Sequence, residues 1–349
     1  MNYEDFNHDE FLANPEPEPN WAFSGEDPPV YIPPDTTPPN ELIGSMGVLS
    51  QNQRSWQTRE PSIDVLDEIN DWIKPYADAI VIAICDTGEN PHNILPKPLA
   101  MESFVPGQSA FDGNSHGTHV AGSAAGSDRR YTRLVGFQHI VAKVLSNQGS
   151  GSSTGIERGI RWATQWKGPG GEQCRVINLS LGGSGRHAGT INACNDAASL
   201  GCVPLAAAGN SGHRGMGFPA KDPSVPGIAN RREDGSIAAS SSRGQVLIAD
   251  AGTQILSASH RGKDRLAFMS GTSMATPCLA NVMGGVHALR LASGLPNWRS
   301  TEPVFDLSKK YGVDMGRPGY DTDSGYGYPD IEKLLTDMAH FGPKIFTRD

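Results

Sequence analysis

The stretch that decides the fold is residues 79–88, AIVIAICDTG. Its first seven residues are apolar without interruption, which is typical of a strand whose two faces are both covered. Similar runs follow at residues 139–145, 175–181, 202–208 and 245–249, and helix-length stretches lie at 117–126, 154–166, 187–200 and 273–293. This alternation predicts an α/β fold of three layers, a parallel β-sheet with helices on both faces.

A carboxylate ends the first of these strands, in Asp86-Thr87-Gly88. In open parallel sheets the active residues gather at the carboxyl ends of the strands, so Asp86 is a candidate. An acid buried there is costly unless other groups hydrogen-bond to it. Asp-x-Gly is also a common turn. A second triplet, Asp323-Ser324-Gly325, leaves the paired aspartates of an aspartic protease as an alternative.

Two histidines stand in residues 114–122, NSHGTHVAG. The small residues around them let a helix pack closely, and a histidine with a pKa near neutrality can act as a general base. The pair His116 and His119 also suggests a metal site, but zinc-protease helices carry histidines four apart with a glutamate between them. The residues alone leave open which histidine is the base.

A serine opens the long helix predicted over 273–293, within SGTSMATP at residues 270–277. The first N–H groups of a helix have no intrahelical partner and carry the positive end of the dipole. They can therefore stabilise an oxyanion that develops beside Ser273. Pro277 is tolerated because it falls in the first turn. Taken alone, such a serine is an ordinary helix cap.

The three motifs together, in the order Asp, His, Ser, resemble those of the subtilisin-like serine proteases, the subtilase family. Within that family the chain is most similar in character to the intracellular subtilisins. The resemblance extends over roughly residues 54–335 and implies a subtilisin-like fold. It implies a serine endopeptidase that forms an acyl-enzyme, with Ser273 as nucleophile, His116 as general base and Asp86 orienting the histidine. An aspartic protease would explain neither the histidine motif nor the serine motif.

Further site residues are implied by the same resemblance. Asn210, at the end of AAAGN (206–210), is expected to donate its amide to the oxyanion together with the N–H of Ser273. The implied substrate-binding residues are Ser150, Gly151 and Ser152 along one edge, and Ser180, Leu181, Gly182, Gly183 and Gly217 around the pocket for the residue before the scissile bond. Because these positions carry no acid, we expect broad specificity with an apolar or aromatic residue before that bond.

Two other functions remain open from the sequence. A transpeptidase or macrocyclase would use the same acyl-enzyme, because water and amines compete for one intermediate. A non-catalytic scaffold could keep the fold and bind peptides, but Asp86, His116, Asn210 and Ser273 are all present, which argues against it. No insertion that would cap the cleft is evident, and this favours hydrolysis.

Residues 1–53 differ from the rest in composition, since they hold ten Asp and Glu, nine prolines and no Lys or Arg. The net charge of −9 is therefore a property of this N-terminal extension. Its composition predicts a disordered or extended tail, with the catalytic domain covering residues 54–349. Segment 30–34, VYIPP, is similar to the proline-containing segment with which intracellular subtilisins block their cleft. We predict that it lies along residues 150–152 and inhibits the enzyme, the alternative being a solvated tail.

Composition also limits the partners and the compartment. Protein or peptide substrates are expected, because the chain has no clustered basic face for nucleic acid and no run of 18 apolar residues for a membrane. The N-terminus lacks the basic and apolar regions of a signal peptide. The five cysteines are an odd number spread along the chain, so we expect free, buried thiols in a reducing compartment, the cytoplasm.

Secreted relatives carry a calcium loop after the histidine helix. The corresponding residues here, GSDRRYTR at 126–133, hold one carboxylate among three arginines, and the partner position is Ile94 or Leu95. Calcium needs several oxygen ligands. We therefore expect no metal ligands at this loop and no required cofactor, with calcium possible only at some other site.

Overall fold

The computed structural model describes residues 2–17, 19, 27–32, 40–42, 54–60 and 62–345, without the side chains of 40–42, 63 and 341–345. Its helices are α1 (His8–Ala13), α2 (Ile63–Ala77), α3 (His116–Ala125), α4 (Ser153–Gln165), α5 (Ala188–Ser199), α6 (Thr272–Ala292), α7 (Glu302–Tyr311) and α8 (Ile331–Ile345). Its strands are β1 (Pro29–Tyr31), β2 (Asn40–Leu42), β3 (Ile80–Asp86), β4 (Ala100–Ser103), β5 (Gln138–Lys143), β6 (Ser150–Ser152), β7 (Gln173–Leu179), β8 (Val203–Ala207), β9 (Gly227–Arg231), β10 (Ile248–Ala251), β11 (Ile255–Ala258), β12 (Leu266–Met269), β13 (Gly312–Val313) and β14 (Tyr328–Pro329).

A seven-stranded sheet forms the middle layer, in the order β10-β9-β8-β7-β3-β5-β4, and every neighbouring pair in it is parallel. β3 is buried along its whole length, as expected of an apolar strand covered on both faces. The sheet confirms the predicted parallel α/β fold. The predicted strands and helices begin and end within three residues of the observed ones.

Helices cover both faces of this sheet. On one face α6 contacts β3, β7, β8, β9 and β10 and packs against α2, α3 and α8. On the other face α4 and α5 pack against each other and against β5, β7 and β8. Each face has its own cluster of buried apolar residues. Glycines permit the closest approaches, since a Cβ on Gly159 of α4 would lie 2.4 Å from Val144 Cγ1.

Antiparallel pairs complete the fold. β11 and β12 form a hairpin, the backbone of β2 adds to β12, and β13 pairs with β14. None of the helices in the described part of the chain combines the length and the apolar character of a membrane span. The five cysteines are buried and free, which confirms the expectation for the thiols.

The N-terminal extension differs from the expected disordered or extended tail in residues 2–17. Asn7 Oδ1 caps α1 by accepting two backbone N–H groups. Phe6 and Phe11 are buried against Phe111 of the body, and the ring centroids of Phe6 and Phe111 are 4.4 Å apart. The prediction rests on the average composition of residues 1–53, to which these few aromatic residues contribute little. They nevertheless bury apolar surface as core residues do.

Residues 27–32 of the extension lie across the body in extended form. β1 pairs antiparallel with β6, so that Val30 stands opposite Gly151 and Tyr31 opposite Ser150. This is the location predicted for segment 30–34, of which Pro33 and Pro34 lie outside the described residues.

Candidate active site

Asp86 is the last residue of β3, and its carboxylate meets the imidazole of His116. Asp86 Oδ1 lies 2.7 Å from His116 Nδ1 and also accepts the N–H of Thr87 at 2.7 Å. The side chains of Asp86 and His116 are 0% and 2% exposed. His116 Nε2 has no hydrogen-bond partner among the described residues. Asp86 therefore fixes one ring nitrogen and leaves the other available.

A tight turn sets the direction of the His116 side chain at the start of α3. Ser115, just before it, has a φ of 93°, a left-handed conformation that residues with a Cβ rarely adopt. Gly117, just after it, lies against the loop that follows β3, where a Cβ would come within 2.2 Å of Gly88 O. The sequence Ser-His-Gly thus places the first turn of α3 in direct contact with the Asp86 loop.

His119, one turn further along α3, has a different environment. Its Nε2 lies 3.0 and 3.1 Å from the carbonyl oxygens of Ile255 and Ala267 and donates to them. Burial lowers the pKa of His119 to about 4, so the ring is neutral near neutral pH. Of the two histidines, His116 is the one that contacts Asp86. The described residues contain no group of three or more side chains able to hold a metal ion.

Ser273 lies fully buried in the first turn of α6. Its Oγ donates to the carbonyl oxygen of Ser180 at 3.3 Å, and no hydrogen bond to His116 is formed. The backbone N–H groups of the next two residues donate to Gly271 O, whereas the N–H of Ser273 donates to no described residue. The structure therefore leaves one unpaired first-turn donor at the serine.

Asn210 follows β8 and faces the start of α6. Its Oδ1 accepts the N–H of Thr272 at 2.9 Å and Thr272 Oγ1 at 3.2 Å, and these two donors fix the orientation of the amide. The opposite atom, Nδ2, is buried and bonds no described residue. A buried amide donor without a partner costs free energy, so its presence beside Ser273 suggests a partner that arrives with the substrate.

The two predicted substrate-binding edges flank β1. Ser150, Gly151 and Ser152 form β6 on one side of it. On the other side the N–H of Tyr31 donates to Gly182 O and the N–H of Gly182 donates to Tyr31 O, both at 3.1 Å. β1 is therefore the middle strand between these two edges.

The remaining predicted pocket residues lie next to the second edge. Leu181 is fully buried. Gly183 exchanges two backbone hydrogen bonds with Phe218, at 2.8 and 2.9 Å. A Cβ on Gly217 would lie 3.2 Å from Gly183 O, so Gly217 keeps the space beside that backbone free of a side chain. The structure brings the predicted residues of this edge together.

The aspartic-protease alternative would require Asp86 and Asp323 to share a site. Asp86 contacts His116, whereas Asp323 forms an ion pair with Arg243 in a different part of the surface. The structure does not bring these two aspartates together, and this alternative has no support in the described residues.

Two further residues of the site lie outside the residues that the sequence motifs predict. Thr272 holds Asn210, as described above. Asp112 is buried and bonds both to Thr87, next to Asp86, and to the first turn of α3. The spacing in the sequence does indicate a role for Asp112, because an aspartate four residues before His116 can accept the first N–H groups of the helix.

Comparison with known proteins gives a consistent result. The family model described as the subtilase family matches residues 77–302. Thermitase of Thermoactinomyces vulgaris is 35% identical over 211 residues, which cover 58% of this chain and 73% of thermitase. Subtilisin Savinase of Lederbergia lenta is 34% identical over 227 residues, 64% of this chain and 80% of that protein. M-protease of Shouchella clausii shows the same identity over 227 residues, which span only 56% of its length.

Proposed function

The chain belongs to the subtilase family and is a subtilisin-like peptidase, and on that premise we propose that it is a serine endopeptidase whose triad is Asp86, His116 and Ser273. The observation that carries the proposal is a pair of buried, unsatisfied atoms. His116 Nε2 can accept a proton, Asn210 Nδ2 can donate to an oxyanion, and neither has a partner among the described residues. An inert scaffold has no need to keep both atoms unsatisfied.

The proposed reaction follows from these contacts. Ser273 Oγ attacks the carbonyl carbon of the scissile bond while its proton passes to His116 Nε2. Because the hydroxyl donates to Ser180 O in this structure, it has to turn towards His116 first. Asp86 holds Nδ1–H and stabilises the imidazolium. The imidazolium then protonates the leaving amine, and water activated by the same histidine hydrolyses the acyl-enzyme.

Two donors are available for the negative oxygen of the tetrahedral intermediate. One is Asn210 Nδ2, whose orientation Thr272 fixes, and the other is the N–H of Ser273 in the first turn of α6. Fixed donors in a site without water stabilise such a charge without having to reorganise during the reaction.

The pocket for the residue before the scissile bond is proposed to accept apolar or aromatic side chains. Its walls are Ser180–Gly183, the buried Ala206–Ala208 and Gly217, and none of them is acidic. Arg214, an exposed cation in the turn after Asn210, disfavours lysine and arginine further. A cleavage screen dominated by arginine before the scissile bond would contradict this assignment.

The experiment that tests the endopeptidase proposal is turnover of a peptide library by the wild type and by Ser273→Ala. The loss in kcat should be on the order of 10⁶-fold, the size known for subtilisin when this unit is disabled. Mass spectrometry of the products with and without an added peptide amine separates hydrolysis from transpeptidation. Turnover that survives in Ser273→Ala would contradict the triad, and absence of turnover in the wild type would favour the scaffold.

We also propose that residues 27–32 inhibit the enzyme by occupying its cleft. Besides the two bonds between Tyr31 and Gly182, the N–H of Ile32 donates to Gly149 O at 2.9 Å. Main-chain bonds of this kind add an extended peptide to a sheet edge with little demand on side chains. A substrate has to displace β1 before it can use the same edges.

The side chains of this segment alternate as in a bound strand. Val30 is 6% exposed and shares an apolar recess with Ile156, Leu181 and Phe218. Ile32 packs on Gly149, where a Cβ would lie 2.7 Å from Ile32 Cδ1. Tyr31 points outward and is 47% exposed. Alternate residues therefore supply apolar contacts that support the backbone pairing.

Further contacts hold the segment from its N-terminal side. Asp27 Oδ1 accepts the N–H of Thr154 at 2.8 Å, which places a carboxylate at the positive end of α4. Residues 2–17 also contact the body, through Phe6 and Phe11 against Phe111. Because residues 27–32 belong to the same chain as the cleft, they bind intramolecularly, at an effective concentration that can reach the millimolar range. Pro33 and Pro34 lie outside the described residues. Proline has no N–H to offer the next acceptor and a fixed φ, and both features make the segment a poor substrate.

We propose that the loop at 126–133 holds no calcium. The backbone N–H, Nε and Nη2 of Arg130 all donate to the Asp128 carboxylate, at 2.5 to 3.0 Å, so its oxygens are engaged. Ile94 and Leu95 are buried and offer no side-chain oxygen. These residues do not fit a calcium ion. EDTA should therefore shift the melting temperature by only a few degrees, and a large fall would reveal a site elsewhere.

A further inference from the structure

A second fully buried carboxylate, that of Asp112, lies beside the Asp86–His116 pair. Its Oδ1 accepts hydrogen bonds from Thr87 Oγ1 at 2.9 Å and from the N–H groups of Asn114 and Ser115 at 2.8 and 3.0 Å. Its Oδ2 accepts Thr118 N–H at 2.9 Å and Thr118 Oγ1 at 2.7 Å. Five donors thus converge on one carboxylate, more than a structural cap requires.

The charge of Asp112 is maintained inside the protein. Burial raises the pKa of this carboxyl, but electrostatic interactions with His260 and Lys143 and the bonds from Thr118 outweigh burial and lower the pKa below its usual value. The group is therefore an anion at neutral pH, and bonds from five donors are strong because the acceptor is ionised.

These bonds join the two elements that carry the proposed acid and base. Thr87 follows Asp86 directly, and Ser115 and Thr118 lie on either side of His116 in the chain. Thr87 Oγ1 also accepts the N–H of Gly117 at 2.9 Å. Asp112 is thus the common acceptor for the loop after β3 and for the first turn of α3.

We infer that Asp112 is a positioning residue, which holds His116 at hydrogen-bonding distance from Asp86 without touching the substrate or a reacting atom. The inference rests on the proposed function of His116 as the general base. Ser115 requires such a hydrogen bond, because its φ of 93° is unfavourable for a serine. The N–H of Ser115 donates to Asp112, which stabilises this conformation. Without that bond the turn relaxes and the ring of His116 leaves its place beside Asp86.

The test compares Asp112→Asn with Asp250→Asn in the full-length protein. Asp250 is an equally buried carboxylate, bonded to Arg133 at 2.8 Å, and it lies in β10, with β9, β8 and β7 between it and β3. In Asp112→Asn one carboxylate oxygen becomes an NH2 group, which cannot accept the hydrogen bonds that the oxygen accepted. We expect kcat on a peptide substrate to fall about 100-fold with KM within about two-fold, the size of effect that a small misplacement produces.

Asp250→Asn should lower the melting temperature but leave kcat per folded molecule unchanged. Thr118→Val, which removes one hydroxyl donor, covers the case that Asp112→Asn does not fold. It should lower kcat about five-fold, and Thr118→Ser should restore it, because the hydroxyl is kept.

Wild-type kcat in both Asp112→Asn and Thr118→Val would overturn the inference. So would losses that merely follow the folded fraction, as in Asp250→Asn. A wild type that hydrolyses no peptide would refute the proposed function itself, which is a separate result.

Discussion

The candidate active site and the N-terminal extension both bury polar and aromatic groups, yet only the candidate active site is marked by short sequence motifs. At the candidate active site many contacts are local, as between Asp112 and Ser115 or Thr118. In the extension Tyr3 bonds Glu89 and Glu16 bonds Asn147, at separations of 86 and 131 residues. A short sequence motif can indicate contacts within one segment, but it cannot indicate contacts between residues that lie far apart in the chain.

The extension is also part of the polar interior of the body. Tyr3 OH donates to Glu89 Oε1 at 2.9 Å, and Glu89 Oε2 lies 2.7 Å from His139 Nε2. Glu89 and His139 are fully buried, and a buried carboxylate is costly unless its oxygens have partners. Tyr3 therefore completes a network that begins in β5, which explains how an acidic, proline-rich segment can dock on the domain.

After the loss expected in Ser273→Ala, the largest effect in this comparison is expected at the candidate active site, in Asn210→Ala. Loss of the Nδ2 donor should lower kcat by roughly 10²–10³-fold with little change in KM, the scale established for the corresponding donor in subtilisin. Steady-state kinetics on one peptide measures it. A proportional rise in KM with unchanged kcat would place Asn210 in substrate binding instead.

A smaller effect is expected from the buried His119 on the pH dependence of stability. The pKa of His119 is lowered by burial to about 4, so below pH 6.5 the unfolded chain binds a proton that the folded one does not. Stability should then fall as the pH drops, and His119 should contribute about 2 kcal/mol of the loss between pH 7 and pH 5. Urea unfolding of His119→Gln should show a pH dependence smaller by that amount.

The control for this measurement is His213→Gln, at an exposed position in the turn after Asn210. It should leave the difference between pH 7 and pH 5 unchanged. If His119→Gln shows the same pH dependence as the wild type, burial of His119 does not control acid stability.

The smallest effect is expected in the extension, in Tyr31→Pro. Proline removes the N–H that donates to Gly182 O, so β1 should leave the cleft more often and peptide turnover at low substrate should rise about 10-fold. Tyr31→Ala is the matched control, because it keeps the backbone bonds and changes only an exposed side chain. Equal rates in wild type and Tyr31→Pro would refute inhibition by β1.

The sequence predicts the central sheet well because parallel strands covered on both faces are continuous apolar runs, as in β3. The sequence predicts the elements outside the central strands less well. The helix α2 buries Leu66, Ile69 and Ile73, whose helical spacing lies outside the predicted alternation of strands and helices. β4 is a short edge strand that is only partly buried, and it offers no such pattern.

For the site, motifs place Asp86, His116, Asn210 and Ser273 near the same edge, and their catalytic roles stay predictions. The structure adds what no motif carries, namely that Asn210 is oriented by Thr272 and that the Ser273 hydroxyl bonds Ser180 O. Such details depend on side-chain geometry between distant parts of the chain, which neither apolar periodicity nor residue spacing encodes.

If Ser273 is activated and lies in a cleft covered by β1, a peptidyl phosphonate should react with it, and the mass of the protein after exposure reports the adduct. We predict a single adduct on Ser273, formed faster in Tyr31→Pro than in the wild type or Tyr31→Ala, and no adduct in His116→Ala. A Tyr31→Pro protein in which Ser273 remains unmodified, or in which the adduct forms on another residue, would contradict the account.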